Sequence, residues 1–407
     1  MNKAWSIFVR VFGGFELAVG VLFFMTLATW LGTLNQQYEG LFQSQGRYFE
    51  SWFYVERNLV PYLGIPLPGG MLLMILLMIN LVVGGLLRMR KGASTIGILI
   101  THCGILLLLL AGVVKFFGST EGSLLLWPGD QGSSFSSFYY WEVDVLQELD
   151  GGKQRRFEIP HEDIVDLHDG KSRRFESGSW PFALVLDRFA QNAEVAMAGG
   201  DDSGIPGVSI GSLRLAPGER NPEEELNQAG MRVRVQNASG STIGESLLWG
   251  AMDYPYVFEV EGKKFGVRLQ RKRVELPFTV RLDEFHHEVY PNTTRPKVFA
   301  SDVTVLSRGG ETRTAKIEMN QPLRRDGFIL FQSSYGPKGA GPNDRKFSVF
   351  QVVSNPSDHW PLIACIVIAI GLLLHFGSKL FRWMRAERKR VLHTNAVVAT
   401  AGGSTND

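Results

Sequence analysis

Residues 95–117 read TIGILITHCGILLLLLAGVVKFF, a long apolar run that contains one histidine, His102. About 20 apolar residues in a helix cross the roughly 30 Å hydrocarbon core of a bilayer, so this run predicts a transmembrane helix. At about 1.5 Å per residue, His102 lies about 10 Å inside the helix, where an imidazole usually faces a partner, a cavity or a ligand. We therefore interpret His102 as a buried nitrogen ligand.

Three further apolar runs lie at residues 12–34, 70–87 and 361–381, and nothing comparable occurs between residues 118 and 358. The hydrophobic content of 45% therefore averages a membrane part with a polar part. This pattern predicts four transmembrane helices, three N-terminal and one C-terminal. The first run is too long for the apolar region of a signal peptide, so we expect it to be retained.

The polar part has the pattern of a β-rich domain. Tyr140–Val145 and Met231–Val235 alternate between apolar and polar residues, which is typical of antiparallel strands with one buried face. PFALVLDRF at residues 181–189 recurs as PFTVRLDEF at residues 277–285, which suggests two related β modules. Chance similarity between β patterns is the alternative explanation.

These observations predict a membrane protein with a large β-rich extracytoplasmic domain inserted between helices three and four. The predicted regions are an N-terminal membrane region at 1–117, the β-rich domain at 118–358, the fourth helix at 359–381, and a basic, disordered cytoplasmic tail at 382–407.

The distribution of charge orients the protein, although the net charge of +2 gives no reason to expect a nucleic-acid partner. Eleven basic residues flank the apolar runs on one side: Lys3, Arg10, Arg88, Arg90, Lys91, Lys379, Arg382, Arg385, Arg388, Lys389 and Arg390. By the positive-inside rule these segments are cytoplasmic. The large domain is then expected on the periplasmic or outer side of a bacterial inner membrane.

Two short motifs resemble a known family. The first predicted helix ends in a Gly-Thr-x-x-Gln pattern at residues 32–36, and residues 319–323 read MNQPL. A turn at Asp326–Gly327 and the sequence FQSSYG at residues 331–336 follow. With the three-plus-one helix layout, these motifs resemble the ResB family of cytochrome c biogenesis proteins.

The resemblance implies a role in System II cytochrome c maturation, in which haem is carried outward and presented for attachment to apocytochrome c. The cofactor implied is haem b, bound transiently and without a covalent bond. ResB-type proteins act with a CcsA-type partner, whose tryptophan-rich W-G-x-x-W-x-W-D segment is absent from this sequence. A thioredoxin-like thiol reductase is a further candidate partner, and the chain is not expected to be an enzyme by itself.

The candidate cofactor-binding residues are His102 and His375. The resemblance puts His102 in the place of the transmembrane haem-iron ligand, with the second imidazole supplied by the partner. Alternatively, His375 in the fourth helix reaches nearly the same depth and supplies the second ligand itself. Asn80, His102 and His375 also have few polar companions in four helices, which predicts an obligate membrane partner.

The four histidines of the polar domain are interpreted as exposed polar residues. His286 and His287 are adjacent on a predicted strand and point to opposite faces, so they would not chelate one ion together. These histidines are His161, His168, His286 and His287.

Two other classes of function are compatible with the sequence. One is an envelope-assembly or binding scaffold without cofactor, in which the histidines only form hydrogen bonds between helices. The other is a membrane cytochrome with bis-histidine haems, for which two intramembrane histidines make at most one site. Visible absorption of the purified protein distinguishes these classes.

The orientation is directly testable. Reporter fusions or cysteine labelling should place residues 118–358 outside the cytoplasm and the link at residues 88–91 inside it, because basic links are retained on the cytoplasmic side. A cytoplasmic location for residues 118–358 would contradict both the orientation and the maturation role.

Overall fold

The computed structural model describes residues 3–57, 64–92, 94–149, 153–168, 170–197, 207–290, 296–337 and 344–402. The chain divides into two compact units. The first comprises Met1–Gln36, Gln43–Ser119 and Asn355–Asp407, and the second comprises Gln37–Phe42 and Thr120–Ser354.

Helices dominate the first unit. They are α1 Lys3–Phe12, α2 Phe15–Glu39, α3 Leu41–Tyr48, α4 Gly70–Asn80, α5 Ile96–Gly118 and α6 Trp360–Gly402. Helix α4 continues as a π-helical stretch, Leu81–Leu87. Four helical segments are long and apolar enough to cross a membrane: Phe15–Glu39, Gly70–Leu87, Ile96–Gly118 and Trp360–Leu392. The prediction of four apolar membrane helices is confirmed.

Helices α5 and α6 pack closely because small residues line their contact. A Cβ atom added to Gly97 would lie 2.6 Å from the backbone nitrogen of His375. One added to Gly371 would lie 2.4 Å from the hydroxyl of Thr101. Glycine at these positions allows two helix backbones to approach more closely than larger side chains permit.

The C-terminal part of α6 differs from the prediction. The fourth helix was expected to end at residue 381 and to be followed by a disordered tail, but α6 continues to Gly402. The prediction of disorder is therefore wrong for residues 382–402, and residues 403–407 lie outside the described residues. Arginine, glutamate, leucine and alanine favour helix, and this segment extends a helix that is already formed.

Strands dominate the second unit, as predicted. In chain order the strands are β1 Phe53–Glu56, β2 Ile65–Pro68, β3 Thr120–Leu126, β4 Gln131–Glu148, β5 Gln154–Ile159, β6 Ser172–Glu176, β7 Ala183–Ala190, β8 Ala193–Met197, β9 Val208–Ile210, β10 Leu213–Pro217, β11 Gly230–Gln236, β12 Thr242–Trp249, β13 Tyr256–Val260, β14 Lys263–Val289, β15 Pro296–Ser307, β16 Thr312–Glu318, β17 Leu323–Arg325, β18 Phe328–Gly336 and β19 Phe347–Ser354. Strands β1 and β2 form a separate hairpin in the first unit.

The second unit contains three antiparallel sheets. The largest has ten strands in the order β16-β15-β14-β4-β3-β19-β18-β17, with β13 added to β14 and β5 to β4. A four-stranded sheet has the order β12-β11-β7-β6, and a three-stranded sheet has the order β8-β10-β9. The two longest strands, β4 and β14, pair with each other at three stretches of β14, residues 265–271, 273–275 and 280–281.

Two large apolar cores fill the second unit. The first contains Trp141 of β4, Leu186 of β7 and Val267 of β14. The second contains Phe135 of β4 and Val280 of β14, so both long strands contribute to both cores. The two copies of the sequence repeat lie in different cores, one in β7 and one in β14. A structural relationship between two modules stays a prediction.

A buried charge network accompanies the first core. Glu142 and Asp144 are fully buried on β4. Arg156 Nε donates to Asp144 over 2.7 Å, and Arg156 also donates to Glu142. Gln270 Nε2 donates to the same Glu142 oxygen over 3.0 Å, and the second Glu142 oxygen has no partner in the described part of the chain. Burial raises the pKa of the Glu142 carboxyl to about 7.

The raised pKa of Glu142 predicts a pH-dependent stability. The folded protein binds the Glu142 proton more tightly than the unfolded chain, whose glutamates titrate near 4.5. The free energy of unfolding should therefore fall as pH rises from about 4.5 to about 7, by on the order of 3 kcal/mol at most. Glu142→Gln should remove this dependence, measured by near-UV circular dichroism melts of the full-length protein in detergent.

Glu158 is the matched control, because it also contacts Arg156 but is exposed. Glu158→Gln should leave the pH dependence in place. An unchanged slope in Glu142→Gln would show that another group titrates.

Candidate functional site

His102 makes one defined hydrogen bond within the membrane helices. Its Nδ1 atom lies 3.0 Å from the carbonyl oxygen of Gly85. A carbonyl can only accept, so Nδ1 carries the proton and donates it. In a neutral imidazole this leaves the Nε2 atom with a free lone pair, the form in which histidine binds a metal.

The Gly85 carbonyl can accept the hydrogen bond from His102 because of its position in the helix. It belongs to the last turn of the π-helical stretch Leu81–Leu87, and carbonyls in the last turn of a helix lack a partner within the helix. A Cβ atom at position 85 would lie 2.7 Å from His102 Nδ1 and 3.1 Å from Cε1. The absence of a side chain on Gly85 therefore allows the ring to reach the backbone.

The surroundings of His102 are apolar and partly open. His102 itself is half-buried. Ile98, Ile105, Leu106 and Leu109 are also half-buried, and their spacing of three, four and seven residues from His102 puts them on the same face of α5. A flat apolar ligand could contact this face next to the free Nε2 atom.

His375 lies in a different environment. Its backbone nitrogen packs against Gly97, and its Nδ1 atom is buried without a hydrogen-bond partner among the described residues. The face of α5 that contacts α6 contains Gly97, Thr101 and Gly104, whereas His102 contacts Gly85. The close backbone approach leaves no room for a macrocycle between α5 and α6 at His375.

Asn80 is satisfied within the chain, which corrects one argument for a partner. Its Nδ2 atom donates to the carbonyls of Phe12 and Gly14, both over 2.8 Å. These carbonyls lie at the break between α1 and α2. The expectation that Asn80 and His102 lack internal partners is therefore wrong, since Gly85 accepts from His102.

The histidines of the second unit are not uniformly exposed. His161 is half-buried and accepts the backbone N–H of Trp141 at Nδ1 over 3.2 Å, and burial lowers its pKa. His287 is half-buried and lies 4.3 Å from the Tyr335 ring, centroid to centroid. Burial and the nearby Lys346 lower the pKa of His287. The interpretation of these two residues as exposed is wrong, because the 3-10 helix His161–Asp163 and strand β14 carry their rings against aromatic side chains.

His286 points to the opposite face of β14 and has acidic neighbours. Its Nε2 atom lies 2.7 Å from Asp302, and its Nδ1 atom lies 3.7 Å from Glu284. These three residues could present ligand atoms within 4.8 Å of one another. Glu284 is 70% exposed, however, and an ordinary surface ion pair explains the arrangement.

The matched part of the chain begins at the end of β12 and includes β14, β15 and β18, together with the MNQPL and FQSSYG motifs. Residues 249–343 match the ResB-like family. The resemblance predicted from the motifs is thus confirmed by a family model. A search among curated proteins found no match.

The match covers residues 249–343, less than half of the chain, and the four apolar helices are long enough to cross a membrane. Sequence reasoning identified His102 but not the role of Gly85. The contact between Gly85 and His102 could not be read from the spacing of residues in the sequence.

The geometry predicts that Gly85 positions the His102 ring. Gly85→Ala should displace the imidazole, because the added methyl group would overlap Nδ1. Nitrogen NMR of histidine-labelled protein should show the Nδ1–H tautomer at His102 in the wild type and its loss in the variant. Gly20→Ala is the control, since a Cβ atom there meets nothing within 4 Å. An unchanged His102 signal in Gly85→Ala would contradict the assignment.

Proposed function

We propose that this ResB-like chain is a haem-handling subunit of the System II machinery for cytochrome c maturation. The observation that carries the proposal is the state of His102, whose Nδ1 atom is held by Gly85 and whose Nε2 atom is left free. The family match supports the pathway. Haem b is the cargo, bound transiently through a non-covalent bond to its iron.

The residues around His102 fit this cargo. Haem supplies an iron that takes imidazole as an axial ligand. The hydrogen bond to Gly85 fixes the tautomer and orients the ring, as outer partners of metal-binding histidines generally do. The half-buried aliphatic residues on the His102 face would contact the apolar faces of the macrocycle and exclude water.

The second axial ligand is proposed to come from a partner. Close packing at Gly97 and Gly371 argues against a haem shared by His102 and His375 on one interface. A CcsA-type membrane protein would supply the missing imidazole and a tryptophan-rich haem-handling segment, which this sequence lacks. His375, with its unpartnered Nδ1 atom, is then a candidate for a contact with that partner.

The β-rich unit is proposed to lie on the periplasmic side, where apocytochrome c is matured. The basic residues that flank the membrane helices support this orientation. Haem attachment requires reduced apocytochrome thiols, for which a thioredoxin-like thiol reductase is the expected supplier. This chain would hold and present haem and would not catalyse attachment by itself.

A cofactor-free scaffold is the second candidate. The hydrogen bond from His102 to Gly85 would also satisfy a purely structural histidine. The two functions differ in the use of the Nε2 atom, because only the haem-handling role requires this atom to bind iron.

The proposal predicts that His102→Ala lowers the haem that copurifies with the protein, without added haem, by at least about tenfold and abolishes cytochrome c maturation, because the iron loses its axial ligand. Membrane insertion should be unaffected. Added imidazole should restore part of the haem spectrum by occupying the vacant axial position. The measurements are visible absorption of the purified protein and the c-type cytochrome content of the producing strain.

His375→Ala is the comparison variant and should retain bound haem. If it loses haem while His102→Ala keeps it, the ligand has been assigned to the wrong histidine. If the wild-type protein carries no haem and neither variant changes maturation, the scaffold function is correct.

A further inference from the structure

A cluster of aromatic rings surrounds His287 in the β-rich unit. It consists of Phe285, His287, Phe299 and Tyr335, and we call it the His287 cluster. The His287 and Tyr335 ring centroids are 4.3 Å apart, and Phe285 and Phe299 each lie 5.8 Å from Tyr335. Tyr335 is 37% exposed, so the cluster reaches the surface of the unit.

Strand register explains how the cluster forms. Phe285 pairs with Ser301, and His287 pairs with Phe299, between β14 and β15. Directly paired residues share a face of an antiparallel sheet, and residues two apart along a strand share it as well. This is also the face that carries Val303 into the second core. The cluster therefore lies where the second core ends.

The two polar groups of the cluster are unpaired. Within the described ranges, neither nitrogen of the His287 ring has a hydrogen-bond partner, and the Tyr335 hydroxyl has none. His286, one residue away, is held by Asp302 over 2.7 Å. His286 therefore faces Asp302 on one side of the sheet. His287 faces the other side, where it presents a free imidazole among aromatic rings.

A cation lies beside the cluster. Lys346 directly precedes Phe347, which pairs with Gly336 next to Tyr335, and its charge contributes to lowering the pKa of His287. It is half-buried and has no ion-pair partner in the part of the chain that the structure describes. A half-buried ammonium group without a carboxylate is available to an anionic ligand.

We propose that the His287 cluster is a second haem site, on the β-rich unit. A flat metalloporphyrin matches all three features, because its aromatic faces stack on rings, its metal takes an imidazole nitrogen, and its propionates pair with an ammonium group. This proposal rests on the proposed function and deepens it. It gives the β-rich unit a site that would hold haem before attachment.

Binding at the cluster is a ligand exchange. The bond between the haem iron and its previous axial ligand breaks, and a bond to a nitrogen of His287 forms. Iron keeps its oxidation state, so no oxidant or reductant is needed. A stacking surface for an aromatic side chain of a protein partner would need the rings but not the free imidazole, which is why the free imidazole favours haem.

The test uses full-length protein in detergent that carries His102→Ala, so that the site in the membrane helices is absent. Titration with ferric haem should give saturable binding of one equivalent and the absorption of histidine-ligated iron. Adding His287→Ala should weaken this binding by roughly tenfold or more and remove the ligated spectrum, because the axial ligand is lost. Adding Lys346→Ala should weaken it by a smaller factor.

His286→Ala is the matched control, because it removes the adjacent histidine from the opposite face. It should leave haem affinity within about twofold of the parent, well below the effect of an axial ligand. His287→Met gives a second variant that retains a possible iron ligand, and it should shift the spectrum without abolishing binding. Circular dichroism melts show whether each variant folds.

Three results would overturn the proposal. The first is the absence of saturable haem binding in His102→Ala. The second is an equal loss of haem affinity in His286→Ala and His287→Ala. The third is an unchanged haem affinity when His287 is replaced by alanine. The first would mean that the cluster only closes the core or stacks on a protein partner. Because His102 is absent throughout, these outcomes are independent of whether His102 itself binds haem.

Discussion

The pairing of β4 with β14 is the interaction on which the β-rich unit depends. Both strands pass from one core to the other, and their register shifts between Arg271 and Arg273. Such a shift leaves carbonyls without ladder partners. The Arg271 guanidinium donates to the carbonyls of Phe138 and Asn227 and stacks over Trp141 at 4.6 Å. One planar cation with several donors thus stabilises the place where the two cores meet.

A comparable rule governs the helical unit, where polar side chains pair with backbone carbonyls. Asn80 donates to carbonyls at the break between α1 and α2, His102 donates to Gly85, and Ser357 donates to the carbonyl of Ala111. Polar groups in an apolar environment need such partners. Among the described residues His375 lacks one at Nδ1, as Ser44 of α3 does at its hydroxyl.

The apolar runs and the alternating segments sufficed to predict the four helices and the β-rich unit, because both patterns are local. The partners of particular side chains were not predictable in this way. The hydrogen bond of His102 depends on a π-helical stretch that leaves no mark in hydrophobic periodicity. The surroundings of His287 depend on Tyr335, which arrives from a strand that is distant in sequence. Even the correct statement that His286 and His287 face opposite ways did not reveal which face was apolar.

The extension of α6 beyond residue 381 has a consequence for how that segment melts. Residues 381–392 are exposed on all sides, so tertiary packing contributes little to their helical structure. An isolated helix of this length would be marginal in water, chiefly because its first turn is costly to form. Here the preceding apolar turns serve as a permanent nucleus. On heating, helicity should therefore be lost gradually, beginning at the end farthest from the membrane and progressing toward it. No separate cooperative transition of this segment is expected.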